Sequence, residues 1–435
     1  MEEEPPRLPI DVLVVGAGNF GAATAFELVK RGYKNIALLD LDSSPNPRAA
    51  SHDINKIVRD DYPDPLYMRM LQKAMPLWRH HDNYKEYYHE VGMLRADPSN
   101  FGPESIASYK NLGIHSDARM MPVDEVRQGW NGVFADTNFG DLSHVLYNPN
   151  VGYGEAEKAL GAVLKLGAER GVRFVQGTAT KLFLGPDGEC QGVVLETDQI
   201  LRANKVLLCT GARTPALLAA SAPENKLLHA GDRIIATGAV SFHTTLHGEQ
   251  RAKFQRVPVL KNCLPEVKGE SMSMLEDGTF KFNCDLCFTN YAVFPATGDK
   301  MSLVPDDDEH QVWTGPDYIK FFKEKAQKTM KGLYGKEVEG VAIENYRMCW
   351  DASTPTHDFL ITPHPHSPRL YIATGGSFHG WKFLPVIGEY IADMVSHQLD
   401  PEYAARWAWD RAGNDDHSAN PTYQVIGDLQ DFAKA

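Results

Sequence analysis

A glycine-rich turn between an apolar strand and a helix is the feature of this sequence that most restricts its fold. Residues 12–15 form an apolar run with the length of a buried parallel strand. Gly16, Gly18 and Gly21 follow it in the spacing G-x-G-x-x-G. Such a turn lets backbone amides and a helix N-terminus approach a pyrophosphate, because no side chain intervenes. A second apolar strand ends at Asp40, where a carboxylate can accept from ribose hydroxyls, so the whole pattern predicts a dinucleotide-binding unit.

Composition and charge exclude several classes of function. The chain has 435 residues, of which 43% are hydrophobic and 23% charged, so we expect a globular protein of two domains. A net charge of −13 argues against a nucleic-acid partner, because phosphate binding needs a basic face. No apolar run has the length of a membrane span, and the acidic N-terminus does not resemble a signal peptide. We therefore expect a cytoplasmic protein without a membrane partner; a peroxisomal location stays open, although the C-terminus lacks S-K-L.

The six cysteines predict free thiols rather than a disulfide framework. Cys284 and Cys287 form a single C-x-x-C pair. One pair cannot complete a zinc site, so we expect no metal. A redox pair stays open, but the helix-opening context of thioredoxin-like motifs is missing, which favours two unpaired, partly buried thiols.

The dinucleotide-binding unit is predicted to be discontinuous. A strand followed by small residues recurs at 205–212 and at 369–377, whereas 226–340 contains strands joined by Gly- and Pro-containing loops. Such interleaving is more typical of FAD enzymes than of nicotinamide dehydrogenases. We assign three segments to the dinucleotide-binding domain, two to a substrate domain and one to a C-terminal tail that packs on the first domain: 1–92, 150–225 and 341–398; 93–149 and 226–340; and 399–435.

Three further segments resemble the monomeric sarcosine oxidase family. Residues 51–59 read S-H-D-I-N-K-I-V-R, residues 346–361 read Y-R-M-C-W-D-A-S-T-P-T-H-D-F-L-I, and residues 373–385 read A-T-G-G-S-F-H-G-W-K-F-L-P. Within this family, the sequence is most similar to the fungal fructosyl amino acid oxidases (amadoriases) and to the saccharopine and pipecolate oxidases. The resemblance covers almost the whole chain.

The resemblance implies a fold and an activity. The fold would be an α/β FAD-binding domain of the glutathione-reductase-like, Rossmann type, interleaved with an α+β, largely antiparallel-sheet substrate domain like that of D-amino-acid oxidase. The activity would be that of a flavin-dependent amine oxidase acting on a fructosyl amino acid, sarcosine, pipecolate or saccharopine type of substrate. A hydride would pass from the carbon beside a secondary amine to FAD, O2 would be reduced to hydrogen peroxide, and the imine would be hydrolysed. The partners would be the small-molecule amine and O2, and we expect a monomer.

The resemblance also implies which residues bind FAD. Cys349 matches the cysteine that carries FAD through an 8α-S-cysteinyl thioether, although an arbitrary cysteine is more often a buried structural thiol. The glycines before His379 predict a helix N-terminus aimed at the flavin, with His379 as a flavin contact or a packing residue. Ser51 lies beside the pyrophosphate or ring, or else caps a turn. The full set of expected FAD contacts is Gly16, Gly18, Asn19, Phe20, Gly21, Asp40, Ser51, Lys56, Gly211, Cys349, Gly376, Phe378, His379, Gly380 and Lys382.

The substrate carboxylate is expected between Arg59 and Lys382. A guanidinium holds a carboxylate through two hydrogen bonds, and a lysine adds a point charge. The alternative is that Arg59 only pairs with Asp60, Asp61 or another surface carboxylate, a common contact that contributes about 0–1 kcal/mol. Because many fructosyl amino acid oxidases lack this arginine, Arg59 favours an amino acid substrate without a sugar.

Two lysines are candidates for activating oxygen. Lys56 matches the lysine with this role in amadoriases, and Lys281 matches that of the bacterial sarcosine oxidases. A positive charge beside the flavin stabilises superoxide as it forms. Lys281 lies between Phe280 and Phe282, so it can equally be an outward-facing residue on a strand.

Asp351 departs from the family pattern, since sarcosine oxidases have a tyrosine two residues after the cysteine. A carboxylate there can attract a cationic or hydroxyl-bearing substrate group, or it can brace the loop. We hypothesise that Asp351 helps to select the N-substituent of the substrate.

Three other functions stay open. The first is a secondary-metabolite tailoring oxidase that acts on an N-methyl or aryl amine. The second is a flavin dehydrogenase that uses another acceptor than O2. The third is an inactive flavin-binding protein, against which the presence of Lys56, Arg59 and Lys382 argues.

Overall fold

The computed structural model describes residues 10–42, 45–411 and 424–434. The strands are β1 Ile10–Val15, β2 Ile36–Asp40, β3 Lys56–Val58, β4 Tyr88–Glu90, β5 Met93–Ala96, β6 Arg119–Pro122, β7 His144–Asn148, β8 Gly152–Gly154, β9 Arg173–Gln176, β10 Ala179–Leu184, β11 Cys190–Leu195, β12 Ile200–Leu208, β13 Ile235–Thr245, β14 Val259–Asn262, β15 Gly269–Ser271, β16 Thr279–Thr289, β17 Tyr291–Val293, β18 Lys300–Ser302, β19 Asn345–Ser353, β20 Leu360–Pro363, β21 Leu370–Thr374 and β22 Val425–Asp428.

The α-helices are interspersed among these strands along the whole described chain. They are α1 Asn19–Lys30, α2 Pro65–His80, α3 Phe101–Asn111, α4 Val123–Gln128, α5 Ala156–Glu169, α6 Thr214–Ser221, α7 Gly248–Lys253, α8 Lys320–Tyr334, α9 Ile387–Val395, α10 Pro401–Arg406 and α11 Leu429–Ala433. Short 3-10 turns cover Lys85–Tyr87, Trp130–Gly132, Gly211–Arg213, Gly231–Arg233, Gly335–Val338 and Trp381–Phe383.

The first sheet is parallel at its centre, in the order β9, β2, β1, β12 and β21. β1 and β2 are almost fully buried, as strands covered on both faces must be. β20 adds an antiparallel edge, and the β10–β11 hairpin extends from the first half of β12. α1 follows the glycine turn and packs against α5 and α9. The predicted strand, turn, helix and strand are therefore present, and the chain returns to this sheet twice.

The second sheet runs in the order β19, β13, β16, β15, β14, β5, β7 and β6, and β22 pairs with β16. Its pairings are antiparallel except those of β14 with β5 and of β16 with β22. One face packs on α8 through a buried aromatic cluster that includes Phe280, Phe282, Phe322 and Tyr334. This is the predicted largely antiparallel sheet, and its other face is partly covered by loops that follow strands of the first sheet.

The strand that carries Cys349 lies in the second sheet, which corrects the boundary predicted at residue 341. β19 pairs with β13 along its whole length. The reason is its alternating pattern: Tyr346, Met348 and Trp350 fill the aromatic cluster of the second sheet. The rest of the predicted division into domains stays a prediction.

The C-terminal tail divides between the two cores. Trp407 is buried against Phe359 in the core of the first sheet. β22, however, pairs with β16, and Phe432 of α11 stacks on Phe321 of α8. The prediction that the whole tail packs on the first domain is therefore wrong for 425–434, because these residues pair with β16 and stack on α8 of the second core. Residues 412–423 lie outside the described part of the chain.

Among the described residues, the structure contains no helix that is both long and apolar enough to cross a membrane.

Candidate cofactor and substrate site

A cavity of about 690 Å³ is lined by residues of both sheets. Most of the side chains and glycines predicted from the sequence line it, although they come from segments more than 300 residues apart. Gly21 and Lys281 are the two predicted residues that do not. Those that do are Gly16, Gly18, Asn19, Phe20, Asp40, Ser51, Lys56, Arg59, Gly211, Cys349, Asp351, Gly376, Phe378, His379, Gly380 and Lys382.

The glycine turn leaves no room for side chains. Gly16 has φ +103°, and a Cβ there would lie 2.4 Å from the carbonyl oxygen of Cys209. A Cβ on Gly21 would lie 1.8 Å from the carbonyl oxygen of Gly16, so Gly21 permits the close approach of helix and strand rather than touching a ligand. A Cβ on Gly18 would come within 2.9 Å of the Ser51 hydroxyl, at the cavity wall. Gly16 and Gly21 therefore allow the tight turn and the close packing of helix on strand, whereas the approach of a pyrophosphate to Gly18 stays a prediction.

Asp40 organises this end of the cavity. Its Oδ2 accepts from the backbone N–H of Ala17 at 2.6 Å, and its Oδ1 accepts from Asn46 Nδ2 at 2.6 Å. Burial nevertheless raises the pKa of the Asp40 carboxyl. The carboxylate thus ties the second strand to the glycine turn while it lines the cavity.

The residues around the turn fit a dinucleotide. Asn19, at the start of α1, gives its Nδ2 to the carbonyl of Gly380, but its buried Oδ1 lacks a partner among the described residues. The first amides of a helix also lack partners within the helix and attract an anion. Asn19 Oδ1 can accept from a polar ligand, the first amides of α1 can donate to a phosphate, and the glycines leave room for both.

Cys349 lies in β19, is 7% exposed and lines the cavity. Its Sγ is 3.9 Å from the carbonyl oxygen of Ala50. The strand is therefore held close to the loop at 45–55, and the thiol is accessible to a cofactor there.

Arg347 fixes that arrangement, and the sequence reasoning missed its role. Its guanidinium is buried and donates to the backbone carbonyls of Pro47, Ala49, His52 and Gln311. One side chain thereby joins the strand of Cys349 to the loop at 47–52 and to the segment around residue 311. An arginine two residues before the cysteine was the only signal available in the sequence.

Lys56 and Lys281 share one carboxylate, that of Asp53, which the sequence reasoning also missed. Lys56 Nζ lies 2.8 Å and Lys281 Nζ 2.7 Å from Asp53 Oδ2. The two ammonium groups hold the pKa of Asp53 far below its usual range. Asp53 raises the pKa of Lys56 against the effect of burial, whereas burial and the charge of Lys56 lower the pKa of Lys281.

The two lysines differ in position. Lys56 lines the cavity, while Lys281 is 1% exposed, lies behind Asp53 and also donates to the carbonyl of Asn55 at 2.9 Å. The alternative that Lys281 is an outward-facing strand residue is therefore wrong. Its role in catalysis stays a prediction, and the geometry gives Lys56 the more direct access to a ligand.

Arg59 and Lys382 meet at Tyr62. The Arg59 guanidinium lies 4.5 Å from the centre of the Tyr62 ring and is hydrogen-bonded to Asp61. Lys382 Nζ donates to the Tyr62 hydroxyl at 3.0 Å and to the carbonyl of His379 at 2.7 Å. Burial and the charge of Arg59 lower the pKa of Lys382 well below its usual range. Pairing with Asp61, one of the alternatives for Arg59, is thus present, and Arg59 lines the cavity as well.

His379 connects this group to the aromatic core. Its Nε2 donates to the carbonyl of His357 at 2.8 Å, so its Nδ1 accepts from the Tyr62 hydroxyl at 3.1 Å. Burial and Lys382 lower the pKa of His379 well below its usual range. The ring therefore stays neutral and packs on Phe359 and Tyr67 while it lines the cavity.

The loop after β21 is held in an unusual conformation by Asp351. Ser377 and Phe378 have φ values of 45° and 59°, in the left-handed region that non-glycine residues seldom adopt. Asp351 Oδ2 accepts from the backbone N–H of Phe378 at 2.7 Å, and its Oδ1 accepts from that of Ala352 at 2.8 Å. The bracing role considered for Asp351 is thus present, and its role in substrate selection stays a prediction.

The helix predicted after the glycines begins later than expected. Gly380 is followed by the 3-10 turn Trp381–Phe383, and α9 begins only at Ile387. A Cβ on Gly388 would lie 2.3 Å from the carbonyl oxygen of Ala23, so α9 is placed by its packing on α1. The expected helix N-terminus at the flavin is therefore one short turn.

The two C-x-x-C cysteines are free thiols, as predicted, and both are buried rather than partly buried. Burial raises the pKa of Cys284 to about 12, and it raises that of Cys287 as well. Neither is suited to redox chemistry near neutral pH.

Comparisons with known proteins agree with this arrangement. Residues 11–394 match the family model described as DAO: FAD dependent oxidoreductase. L-saccharopine oxidase of Schizosaccharomyces pombe is 26% identical and aligns over 98% of this chain and 98% of that protein. Monomeric sarcosine oxidase of Bacillus sp. (strain B-0618) is 23% identical, over 88% of this chain and 92% of that protein.

Solved structures confirm the predicted fold class. A thermally stable mutant of a fructosyl peptide oxidase has 25% identity and a TM-score of 0.82, covering 97% of this chain and 98% of that one. Fructosamine oxidase of Aspergillus fumigatus (Amadoriase II) has 24% identity and a TM-score of 0.77, covering 97% and 94%. The resemblance found in the sequence is therefore confirmed.

Proposed function

The chain belongs to the DAO family of FAD dependent oxidoreductases, and from this membership we propose that it oxidises the C–N bond of a secondary-amine amino acid with O2 as electron acceptor. FAD is the cofactor of the family, which confirms that part of the prediction. The names of the relatives, a saccharopine oxidase and a sarcosine oxidase, support a substrate that is both an amine and a carboxylic acid.

One observation carries the proposal: two basic side chains, Arg59 and Lys382, meet at Tyr62 on the wall of the cavity. Because burial and Arg59 lower the pKa of Lys382, an anion beside both favours the charged lysine. A substrate carboxylate supplies that anion, and the bidentate geometry of a guanidinium fixes its orientation. The amine is thereby held at a defined distance from this wall.

The rest of the site has three tasks. FAD, when bound, accepts the hydride that leaves the carbon beside the amine. The amine nitrogen must be neutral at that moment, so it loses its proton before the C–N bond becomes an imine, which water then hydrolyses. Lys56, held cationic by Asp53, stabilises negative charge where O2 takes up the two electrons that left the substrate as hydride, together with two protons, and becomes hydrogen peroxide.

Cys349 is proposed as the attachment point of FAD. Its thiol lines the cavity beside the loop at 45–55 and close enough to Lys56 to raise the pKa of that lysine.

The decisive experiment is to denature the purified yellow protein and to ask whether flavin remains with the polypeptide. We expect it to remain in the wild type and in a Cys287→Ser control, and to be released from Cys349→Ser. Release from the wild type would refute the link. The same preparation is then assayed for peroxide with sarcosine, pipecolate, saccharopine, proline, fructosyl amino acids and an N-methyl aryl amine.

The outcome of that panel separates the alternatives. Peroxide formation from an amino acid supports the proposal, whereas activity restricted to the aryl amine supports a tailoring oxidase. Reduction of a dye acceptor without oxygen consumption identifies a dehydrogenase. Absence of flavin reduction by every amine identifies an inactive flavin-binding protein. Within the panel, Asp351→Ala should change the ranking of substrates; an unchanged ranking leaves Asp351 with only its bracing role. We also expect a monomer by light scattering.

A further inference from the structure

A row of polar side chains crosses the second sheet at one register and faces the cavity. Ser241 pairs with Asn283, Asn283 with Glu270, and Glu270 with Lys261, on four adjacent strands. All of these residues line the cavity, together with Asp285 two positions beyond Asn283. Alternation along each strand places these side chains opposite the aromatic cluster, so they form the floor of the cavity.

Hydrogen bonds connect the row. Ser241 Oγ donates to Asn283 Oδ1 at 2.6 Å, and Asn283 Nδ2 donates to Glu270 Oε1 at 2.6 Å. Lys261 Nζ then donates to Glu270 Oε2 at 2.9 Å and to Asp285 Oδ2 at 2.8 Å. The side chains are thereby held in fixed positions.

The charges in this row do not balance. Lys261 is one cation between the two carboxylates of Glu270 and Asp285. Asp285 is only 8% exposed, yet its second oxygen, Oδ1, accepts no hydrogen bond from any residue that the structure describes. Asp285 lines the cavity and its side chain is 5% exposed, so a cationic donor that enters the cavity offsets the cost of burying this negative charge.

The row lies within electrostatic reach of the carboxylate-binding pair. The charges of Glu270 and Lys261 both affect Lys382, across the same cavity. A ligand held at Arg59 and Lys382 therefore extends toward the row without leaving the cavity.

We propose that Lys261, Glu270 and Asp285 form a subsite for an ammonium group at the end of the substrate opposite its carboxylate. The inference rests on the proposed function for the identity of that carboxylate. It restricts the substrate to secondary-amine amino acids that carry a second, primary amino group. Sarcosine and pipecolate lack such a group and leave the subsite unfilled.

The test uses binding rather than turnover. The oxidised holoenzyme is titrated with γ-aminobutyrate, ε-aminohexanoate and ω-aminooctanoate, and with the matched fatty acids butyrate, hexanoate and octanoate. These compounds contain no secondary amine, so their affinity, read from the change in the flavin absorption spectrum, does not depend on the proposed reaction. At the length that spans the two groups, we expect the amino acid to bind about tenfold more tightly than its fatty acid.

Variants locate the effect. Asp285→Asn keeps the shape but removes the charge, and it should abolish the preference for the amino acid while the fatty acid binds as before. Glu270→Gln should reduce the preference, and Asp317→Asn, at an exposed aspartate outside the cavity, should not change it. Equal affinities of amino acid and fatty acid at every length, or equal weakening of both by Asp285→Asn, would overturn the subsite.

A failure of the proposed function gives a different pattern. If the enzyme prefers the amino acids over the fatty acids but no secondary amine reduces the flavin, the proposed subsite is supported and the proposed amine oxidation is refuted. If secondary amines are oxidised equally with and without a second amino group, the reverse holds.

Discussion

Replacing Asp53 by asparagine tests the arrangement of charges behind the cavity. The Asp53 carboxylate is 2% exposed and separates two ammonium groups. Because Lys281 Nζ and Lys56 Nζ lie 2.7 and 2.8 Å from the same oxygen, they are at most about 5.5 Å apart. An asparagine amide can accept from them but brings no negative charge, so two cations then face each other.

The cost follows from that distance. Two unit charges about 5.5 Å apart repel by about 3 kcal/mol at an effective dielectric constant of about 20. For a chain of this length, 3 kcal/mol corresponds to a fall in Tm on the order of 3 °C. The repulsion disappears when one lysine loses its proton, so the fall in Tm should be smaller at about pH 9 than at about pH 7.

The stabilisation that the Asp53 carboxylate gives the wild type depends on pH in the opposite sense to the repulsion in Asp53→Asn. The folded pKa of Asp53 lies below its ordinary value, so its stabilisation is fully present above the ordinary value and is lost only as pH falls through the folded pKa. The difference between wild type and Asp53→Asn should therefore not change through ionisation of Asp53 between about pH 5 and about pH 8.

The assay is a thermal denaturation series with two double variants. Asp53→Asn/Lys281→Met removes the more buried cation and should recover at least half of the lost Tm. Asp53→Asn/Lys56→Met should recover less, because the Lys56 side chain is 21% exposed and that of Lys281 only 1%, so solvent weakens the charge of Lys56 more. An unchanged Tm in Asp53→Asn, or strictly additive effects in the first double variant, would refute the reasoning.

Three further variants test other contacts. Lys382→Met removes a charged hydrogen-bond donor to the substrate carboxylate and should lower kcat/KM about 10- to 100-fold, whereas Lys382→Arg should retain part of the wild-type kcat/KM. Equal values of kcat/KM in the wild type and both variants would contradict the assignment of Lys382. A lysine in Arg347→Lys can donate to at most three of the four carbonyls that Arg347 binds, and each carbonyl left without a donor costs about 1–3 kcal/mol. Limited proteolysis should therefore cut the loop at 47–52 faster in this variant. An unchanged rate of cleavage would argue against the bracing role of Arg347. Burial beside Glu270 raises the pKa of Asp285 to about 6, so the contribution of Asp285 to stability is present at acid pH and is lost as pH rises through 6. The Tm of Asp285→Asn relative to wild type should therefore be higher at about pH 8 than at about pH 5. A difference in Tm that does not depend on pH would contradict this.

Local spacing predicted the part of the site that local geometry builds. The glycine turn, its flanking strands and Asp40 lie within a single strand–helix–strand unit, where each residue needs only its neighbours to be placed. Only the family resemblance predicted that the segments around Cys349 and Lys382 share a site with the glycine turn, because no short-range rule connects positions more than 300 residues from that turn. The structure then places nearly all of these residues on one cavity wall or another.

The residues that were missed owe their roles to long-range partners. Asp53 is one carboxylate among several near Lys56 in the sequence, and no residue close to it in the sequence predicts an ion pair with a lysine 228 residues later. Arg347 binds carbonyl groups, which every residue has, so its partners leave no mark in the sequence. Tail residues 425–428 likewise join the second sheet by pairing with the end of β16, a partner that only the folded chain brings close.

The alternation of β16 shows why a strand pattern cannot by itself distinguish solvent from a binding site. Phe280 and Phe282 face the aromatic cluster, while Lys281, Asn283 and Asp285 face the other way. Such alternation is the usual pattern of a strand with one wet face, and it made an outward lysine a reasonable alternative. Here the polar face is enclosed instead: Lys281 meets a carboxylate from the loop after the first strands, and Asp285 meets the cavity. Burying so much charge is unfavourable unless partners or ligands complete it. The Lys281 end is completed by Asp53 within the protein, whereas at the other end Asp285 Oδ1 accepts a hydrogen bond from none of the residues that the structure describes. That difference along a single strand is the physical reason to propose a ligand at the second end, while the catalytic role of Lys281 at the first end stays a prediction.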